Sequence, residues 1–242
     1  MDALPCVDVL AIGAHPDDVE LGVGGTMLRL LEQGYRVGIL DLTRGENGSR
    51  GTVEERTSEA AEAALRLGVT ARANAGLPDG GLENTMEQRA AIVPFIRAMR
   101  PMRILTHMNT DRHPDHHVAH DLVRDANFLA GVASLDTGHE PHRAELLHYF
   151  HPYYEDARPP QMVIDISEYM DRKVHALKAH ASQFHNPAYA GRPTFVSSIE
   201  FWEGIRMRAA YWGGRIGVAY GEPLFADGPI GLASLPGMGE NA

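Results

Sequence analysis

Residues 7–42 restrict the sheet that this chain can form more than any other stretch. The run "VDVLAIG" (7–13) is apolar, contains β-branched residues and ends in glycine, which predicts a buried parallel strand. Apolar residues at helical spacing follow as far as Gly34, and "RVGILDL" (36–42) predicts a second buried strand. A strand, a helix and a strand in this order form a βαβ unit, whose two strands are parallel because the helix carries the chain back between them.

The same alternation of strand and helix continues through most of the chain. A capping box of Thr52 with Glu55 opens one predicted helix, which ends at Gly68. Further strands are predicted at 71–76, 103–107, 144–150 and 161–166. The pattern predicts a Rossmann-like α/β fold, with a doubly wound and mostly parallel sheet, in a single domain over residues 1–220. The Pro/Gly-rich residues 221–242 are predicted to form a loop-like tail.

The composition argues against several classes of partner. The 32 Asp and Glu residues outnumber the 22 Lys and Arg residues, and the net charge of −10 argues against broad binding of nucleic acid or anionic membranes. No apolar run is long enough to span a bilayer and no secretory signal is recognisable, so a cytoplasmic protein is expected. Cys6 is the only cysteine, so any metal site must use histidine and carboxylate ligands.

Two motifs rich in histidine and aspartate directly follow predicted strands. "AHPDD" (14–18) leaves the first strand, and "DRHPDHH" (111–117) follows the strand at 103–107. In the common doubly wound order these two strands are neighbours, and ligands bind beyond the carboxyl ends of the strands. The two motifs, nearly a hundred residues apart in the chain, are therefore expected to meet over one crevice.

The residue types of these motifs suit a catalytic zinc site. Two histidines and one carboxylate, with one position left open, are a standard ligand set for zinc, and His15, Asp18 and His116 can supply it. Asp17 could take a proton from an attacking water, and His113 could stabilise the oxyanion that develops on a substrate carbonyl. Such ligands also accept iron or cobalt, so the sequence leaves the divalent metal open.

Two other interpretations compete with a metal site. A single HPD segment is often a turn whose aspartate caps the next helix, although two such segments at neighbouring strand ends are harder to explain in this way. "GVGGT" (22–26) and Asp41 match parts of a dinucleotide-binding fingerprint, but the glycines come after the strand-to-helix turn, where two carboxylates would repel phosphate. These glycines are expected instead to let the helix pack close to the sheet or to a ligand.

The two motifs resemble those of the PIG-L, or LmbE-like, family of zinc-dependent N-acetylglucosamine deacetylases. That family carries an AHPDD(E) segment after the first strand and a later HPDH segment, and the resemblance runs from about Val7 to Ile166. Val19 stands where many members have Glu. The resemblance implies one zinc per chain held by His15, Asp18 and His116, with Asp17 as general base, His113 as electrophilic stabiliser and Asp115 as the residue that orients a histidine.

Further segments are similar to the bacillithiol-biosynthesis deacetylases, which remove acetate from N-acetylglucosaminyl malate. They include "DLTRGENGSRGT" (41–52) and "HASQF" (180–184). The similarity implies that Arg56 and Arg112 hold the substrate, and an arginine fork suits malate carboxylates. Arg56 could instead form an i,i+4 pair on its own helix. Glu46 and Asn47 are candidates for contacts with sugar hydroxyls.

The resemblance leaves the substrate open in two respects. A different N-acetylglucosaminide, such as a mycothiol-type precursor, a chitooligosaccharide or an antibiotic intermediate, would require the same chemistry. A non-catalytic protein that binds sugar or metal is a further alternative, against which the presence of both Asp17 and His113 argues. Family members commonly assemble, so the resemblance also implies a homo-oligomer.

Overall fold

Five parallel strands form the central sheet of the computed structural model, which describes residues 4–153 and 158–231. The strands are β1 (Val9–Gly13), β2 (Val37–Thr43), β3 (Ala71–Leu77), β4 (Arg103–His107) and β5 (Leu146–Phe150). Their order across the sheet is β3-β2-β1-β4-β5, with every neighbouring pair parallel. The predicted α/β fold is confirmed, and so is the expectation that the first and fourth strands are neighbours.

Helices cover both faces of this sheet. They are α1 (Asp18–Glu32), α2 (Val53–Leu67), α3 (Met86–Met99), α4 (Pro114–Ala130), α5 (Met170–Leu177) and α6 (Ile199–Arg215). Alternate residues of β1 enter different apolar clusters, because successive side chains of a strand point to opposite faces. Val9 and Ala11 join the cluster under α1, α5 and α6, whereas Leu10 and Ile12 join the cluster under α3 and α4. Among the described residues, no helix is long and apolar enough to cross a membrane.

The ends of α2 follow the local sequence as predicted. The Thr52 side chain accepts a hydrogen bond from the Glu55 backbone N–H, and the Glu55 carboxylate accepts one from the Thr52 backbone N–H. Gly68 ends the helix with φ of 79°, a left-handed conformation that glycine adopts without steric cost. This confirmed capping box sets where α2 begins, directly after the loop that borders the crevice.

The C-terminal part of the chain departs from the prediction. Residues 161–166 do not extend the central sheet, because β6 (Met162–Asp165) pairs antiparallel with β7 (Gly221–Leu224) in a separate two-stranded sheet. The prediction of a loop-like tail is therefore wrong for 221–224, which is fully buried. The later part of the predicted tail, 232–242, lies outside the described residues.

The "GVGGT" segment is an internal break in α1, where Val23 has non-helical dihedral angles. The break leaves two backbone N–H groups, of Gly25 and Thr26, without helical partners, and both donate to the Glu222 carboxylate of β7 at 2.9 and 2.6 Å. A Cβ atom on Gly22 would lie 2.3 Å from the Phe150 ring of β5. The expectation that these glycines allow close packing against the sheet is confirmed for Gly22.

Candidate metal centre

The two histidine–aspartate motifs meet at the carboxyl ends of β1 and β4. Asp18 is central: its Oδ1 lies 3.2 Å from Nε2 of His116, and its Oδ2 lies 3.4 Å from Nδ1 of His15. All three side chains are buried, with residue exposures of 4–8%. The structure therefore brings together the three residues that the sequence predicted as ligands, from turns that are far apart in the chain.

The second ring nitrogen of each histidine faces a carboxylate. Nε2 of His15 lies 3.0 Å from Oδ1 of Asp79 and 3.3 Å from Oδ2 of Asp115. Nδ1 of His116 lies 3.1 Å from Oδ1 of Asp111. Histidines that bind a metal usually have their other nitrogen held in this way, which sets the ring orientation and raises the basicity of the ligand atom. The donor set and its supports thus fit a zinc ion.

The carboxylates around His15 and His116 raise the pKa values of both imidazoles. Burial alone would lower the pKa of His116, but Asp18 and Asp111 raise it to about 9. Burial opposes protonation of His15 too, yet Asp115, Asp18 and Asp79 raise its pKa well above the usual 6.5. A divalent cation in contact with the same nitrogens would displace these protons, because a metal ligand must offer its lone pair.

Asp17 has a strained backbone and does not act as a helix cap. Its φ is 130°, a conformation that non-glycine residues rarely adopt, and such strain is concentrated at functional sites. Although Asp17 is at the N-cap position of α1, its side chain makes no capping hydrogen bond. Burial raises the pKa of Asp17 to about 6, although Arg56, whose Nη2 lies 3.4 Å from Oδ2, opposes this shift. The capping interpretation of HPDD therefore fails for Asp17.

His113 occupies the N-cap position of α4. Together with His15, Asp18 and His116 it lines a cavity at the carboxyl ends of the strands. Its Nδ1 accepts a hydrogen bond from the Asp115 backbone N–H at 3.2 Å, so the proton of the neutral ring is on Nε2. Burial, together with the nearby His15 and His116, lowers the pKa of His113. A neutral imidazole with its proton on Nε2 is suited to donate a hydrogen bond to a carbonyl oxygen.

Sequence comparison places this site in a known family. Residues 10–127, which include both motifs, match the PIG-L family, described as GlcNAc-PI de-N-acetylase. The chain is also 31% identical to the diacetylchitobiose deacetylase of Thermococcus kodakarensis over 246 aligned positions, covering 95% of this chain and 84% of the relative. The chain belongs to the PIG-L family. Members of this family are metal-dependent deacetylases, and this chain is accordingly an amidohydrolase.

Two further relatives extend the comparison. The chain is 27% identical to the probable N-acetyl-α-D-glucosaminyl L-malate deacetylase 2 of Bacillus anthracis, covering 73% of this chain and 81% of the relative. The crystal structure of the conserved protein TT1542 from Thermus thermophilus superposes with a TM-score of 0.84 and 38% sequence identity, covering 95% of this chain and 98% of that structure. This PIG-L protein therefore shares its fold with TT1542 along nearly the whole length of both chains.

Sequence reasoning missed a buried histidine of the PIG-L site. His107, the last residue of β4, stacks on His116 at 4.2 Å, and its Nε2 accepts the Ala14 backbone N–H at 2.8 Å. Burial and the nearby His116 lower its pKa to about 4. His107 therefore packs against His116, and its Nε2 also lies 3.3 Å from Oδ2 of Asp18, so that Asp18, His107 and His116 form a further group of side chains close enough together to hold a metal ion. The position of His107 at a strand end was the available signal.

Two aspartates of the site were also missed, Asp79 and Asp111. Asp79 follows β3 in the sequence "LPDG", and Asp111 begins the "DRHPDHH" motif. The predicted sugar contacts lie against Asp79: its backbone N–H donates to Glu46 Oε1 at 2.9 Å, and its Oδ2 accepts the Asn47 backbone N–H at 2.8 Å. The loop after β2 therefore fixes the position of Asp79, whose carboxylate contacts His15.

The two predicted arginines have different environments. Arg56 is 4% exposed, and its guanidinium donates to the backbone oxygens of Gly45 and Pro16 besides contacting Asp17. The partners of Arg56 therefore lie in the loops after β1 and β2, and not at i±4 on its own helix. Arg112 is exposed and forms no hydrogen bond or ion pair with any residue that the structure describes. Both arginines line the cavity of about 330 Å³ above the three ligand side chains.

Proposed function

We propose that this PIG-L deacetylase removes acetate from N-acetylglucosaminyl malate, as in bacillithiol biosynthesis, using a bound zinc ion. The observation that carries the proposal is the position of Arg112 at the rim of the cavity, where its exposed guanidinium has no hydrogen-bond or ion-pair partner among the described residues. An arginine fork matches a carboxylate with two parallel hydrogen bonds. The malate group would thus bind outside the ligand cluster while the acetamide enters it.

His15, Asp18 and His116 would hold the metal. Zinc with two histidine ligands and one carboxylate ligand supplies Lewis acidity at neutral pH, and iron or cobalt could take the same ligands. Asp79, Asp115 and Asp111 contribute by keeping the two imidazoles in place, as their contacts of 3.0–3.3 Å support. The remaining chemistry belongs to side chains of the cavity wall.

Asp17 is proposed to be the general base, and Arg56 keeps its carboxylate in place. The Asp17 carboxylate takes a proton from the water that attacks the acetyl carbon. His113 donates its Nε2 proton in a hydrogen bond to the acetyl oxygen as negative charge develops there. When the carbon–nitrogen bond breaks, the Asp17 carboxyl returns the proton to the leaving amine. One water and one amide are converted to acetate and the protonated amine of glucosaminyl malate.

A second candidate substrate is a neutral N-acetylglucosamine disaccharide such as diacetylchitobiose. The specific observation in its favour is an outer groove of about 730 Å³ beside the cavity, with Tyr153 and Phe195 among its lining residues. Aromatic rings are suited to the apolar face of a sugar, because they offer flat apolar surface. The 31% identity with the Thermococcus diacetylchitobiose deacetylase adds weight to this candidate.

Amine release by the zinc-loaded protein tests these proposals. The substrates are N-acetylglucosaminyl malate, diacetylchitobiose and free N-acetylglucosamine, each also assayed with a chelator. We expect fast, chelator-sensitive release from the malate glycoside and slow release from the other two. Faster release from diacetylchitobiose than from the malate glycoside would refute the first proposal and support the second. Zinc binding without release from any of the three would refute both candidates.

A further inference from the structure

The outer groove and the metal cavity are neighbouring spaces that share one charged residue. The metal cavity is lined by Asp17, His113 and the ligand histidines, and the outer groove by residues of α6 with Tyr153 and Phe195. Arg112 lines both. A group attached to the sugar and leaving the metal cavity toward the outer groove must therefore pass this guanidinium.

Arg112 stacks on an aromatic ring. Its guanidinium carbon lies 4.5 Å from the centroid of the Phe195 ring, and within 4–153 and 158–231 it has no hydrogen-bond or ion-pair partner. Arg208, on the same groove, differs because its Nη2 donates to the Pro152 carbonyl oxygen. The donors of Arg112 are thus available to a ligand, whereas its position depends on one aromatic ring.

Phe195 is itself fixed by two other rings. Its edge contacts with Tyr153 and Phe201 have centroid separations of 5.7 and 5.3 Å and interplanar angles of 73° and 78°. Phe201 is buried, with 2% exposure, so the cluster is anchored in the core. Phe195 is nevertheless 51% exposed, so one part of its ring faces solvent.

We infer that Phe195 is a positioning residue that holds Arg112 between the two spaces and thereby sets a preference for substrates with an anionic aglycone. The inference rests on the proposed deacetylase function. Stacking on a fixed ring restricts the long arginine side chain before the substrate arrives, so less conformational freedom is lost when a carboxylate binds. Without the ring, Arg112 keeps its charge but loses its fixed orientation. Binding of the anionic group should weaken, whereas hydrolysis of a neutral methyl glycoside, which has neither a carboxylate for Arg112 nor a second sugar for Phe195, should not change.

The test compares two substrates with the same amide: N-acetylglucosaminyl malate and the neutral methyl N-acetylglucosaminide. For Phe195→Leu we expect the ratio of their kcat/KM values to fall about two- to fivefold, the factor that an exposed cation–π contact is worth. The loss should lie in KM for the malate glycoside, with kcat retained. Phe195→Tyr should keep the ratio at its wild-type value, because a tyrosine ring also stacks on a guanidinium.

A matched control is available elsewhere on the surface. Phe128 is 64% exposed and stacks under Arg143 at 5.3 Å, so Phe128→Leu removes a similar contact that borders neither space. It should leave the ratio unchanged. Arg112→Gln separates the inference from the proposed function. A fall in the ratio for Arg112→Gln but not for Phe195→Leu overturns the positioning role of Phe195, whereas an unchanged ratio for Arg112→Gln refutes the proposed carboxylate recognition itself.

Discussion

Removal of the Glu222 carboxylate should destabilise the protein strongly, because this group supports the break in α1 from a distant strand. Its two oxygens accept hydrogen bonds from the backbone N–H groups of Gly25 and Thr26 and from the Thr26 hydroxyl, at 2.6–2.9 Å. The Lys173 ammonium lies 2.6 Å from Oε1 and also donates to the Leu21 carbonyl oxygen. Glu222 and Lys173 are each 2% exposed.

The expected magnitude follows from what Glu222→Ala leaves behind. A buried ammonium without its counter-ion typically costs about 3–5 kcal/mol of unfolding free energy. For a domain of this size, that loss corresponds to a decrease in Tm of roughly 6–20 °C. Glu222→Gln should lose less than Glu222→Ala, because its amide oxygen still accepts one backbone N–H. The double variant Lys173→Met/Glu222→Gln should also lose less than Glu222→Ala, since no unpaired charge remains.

Urea unfolding followed by circular dichroism measures these free energies. Arg206 and Asp171 provide a control, because their ion pair has the same 2.6 Å separation as Lys173 and Glu222 but is exposed. Asp171→Ala should therefore cost at most about 1 kcal/mol. If Glu222→Ala costs no more than Asp171→Ala, the argument that burial makes this pair important is wrong.

Three further predictions concern the metal centre. Asp17→Asn should lower kcat by about 10²- to 10⁴-fold and keep zinc, as for removal of a general base, and loss of zinc would instead make Asp17 a ligand. Asp79→Ala should weaken zinc affinity by about 10- to 100-fold in chelator competition, because it no longer orients His15, while surface variant Asp8→Asn should bind zinc normally. Zinc binding should release protons and weaken as the pH falls below about 9, because the raised pKa of His116 keeps it protonated in the metal-free protein. Calorimetry in buffers of different ionisation enthalpy measures this release, and equal heats after correction would contradict it.

The placement of the candidate ligands could be predicted because it depends on local patterns and one topological rule. The apolar runs before His15 and before the "DRHPDHH" motif identify parallel strands, and such strands place their carboxyl ends at one edge. The register of β1 with β4 brings the two turns together, with Leu10 opposite Ile104. No long-range information beyond the strand order was needed to expect that His15, Asp18 and His116 would meet.

The supporting residues could not be predicted in this way, because their partners are set by packing between distant parts of the chain. Asp79 and His107 lie at or just after strand ends, but this signal does not name their partners, and only the fold places one against His15 and the other against His116. The Rossmann-like glycines are the clearest case. The sequence predicted that these glycines allow close packing, but only the folded protein shows that the backbone N–H groups of Gly25 and Thr26 donate to the carboxylate of Glu222, nearly two hundred residues further along. The sequence determined the five strands of the central sheet and the two turns that carry the candidate ligands, because both depend on local patterns, and the tertiary structure decided which buried charges satisfy one another.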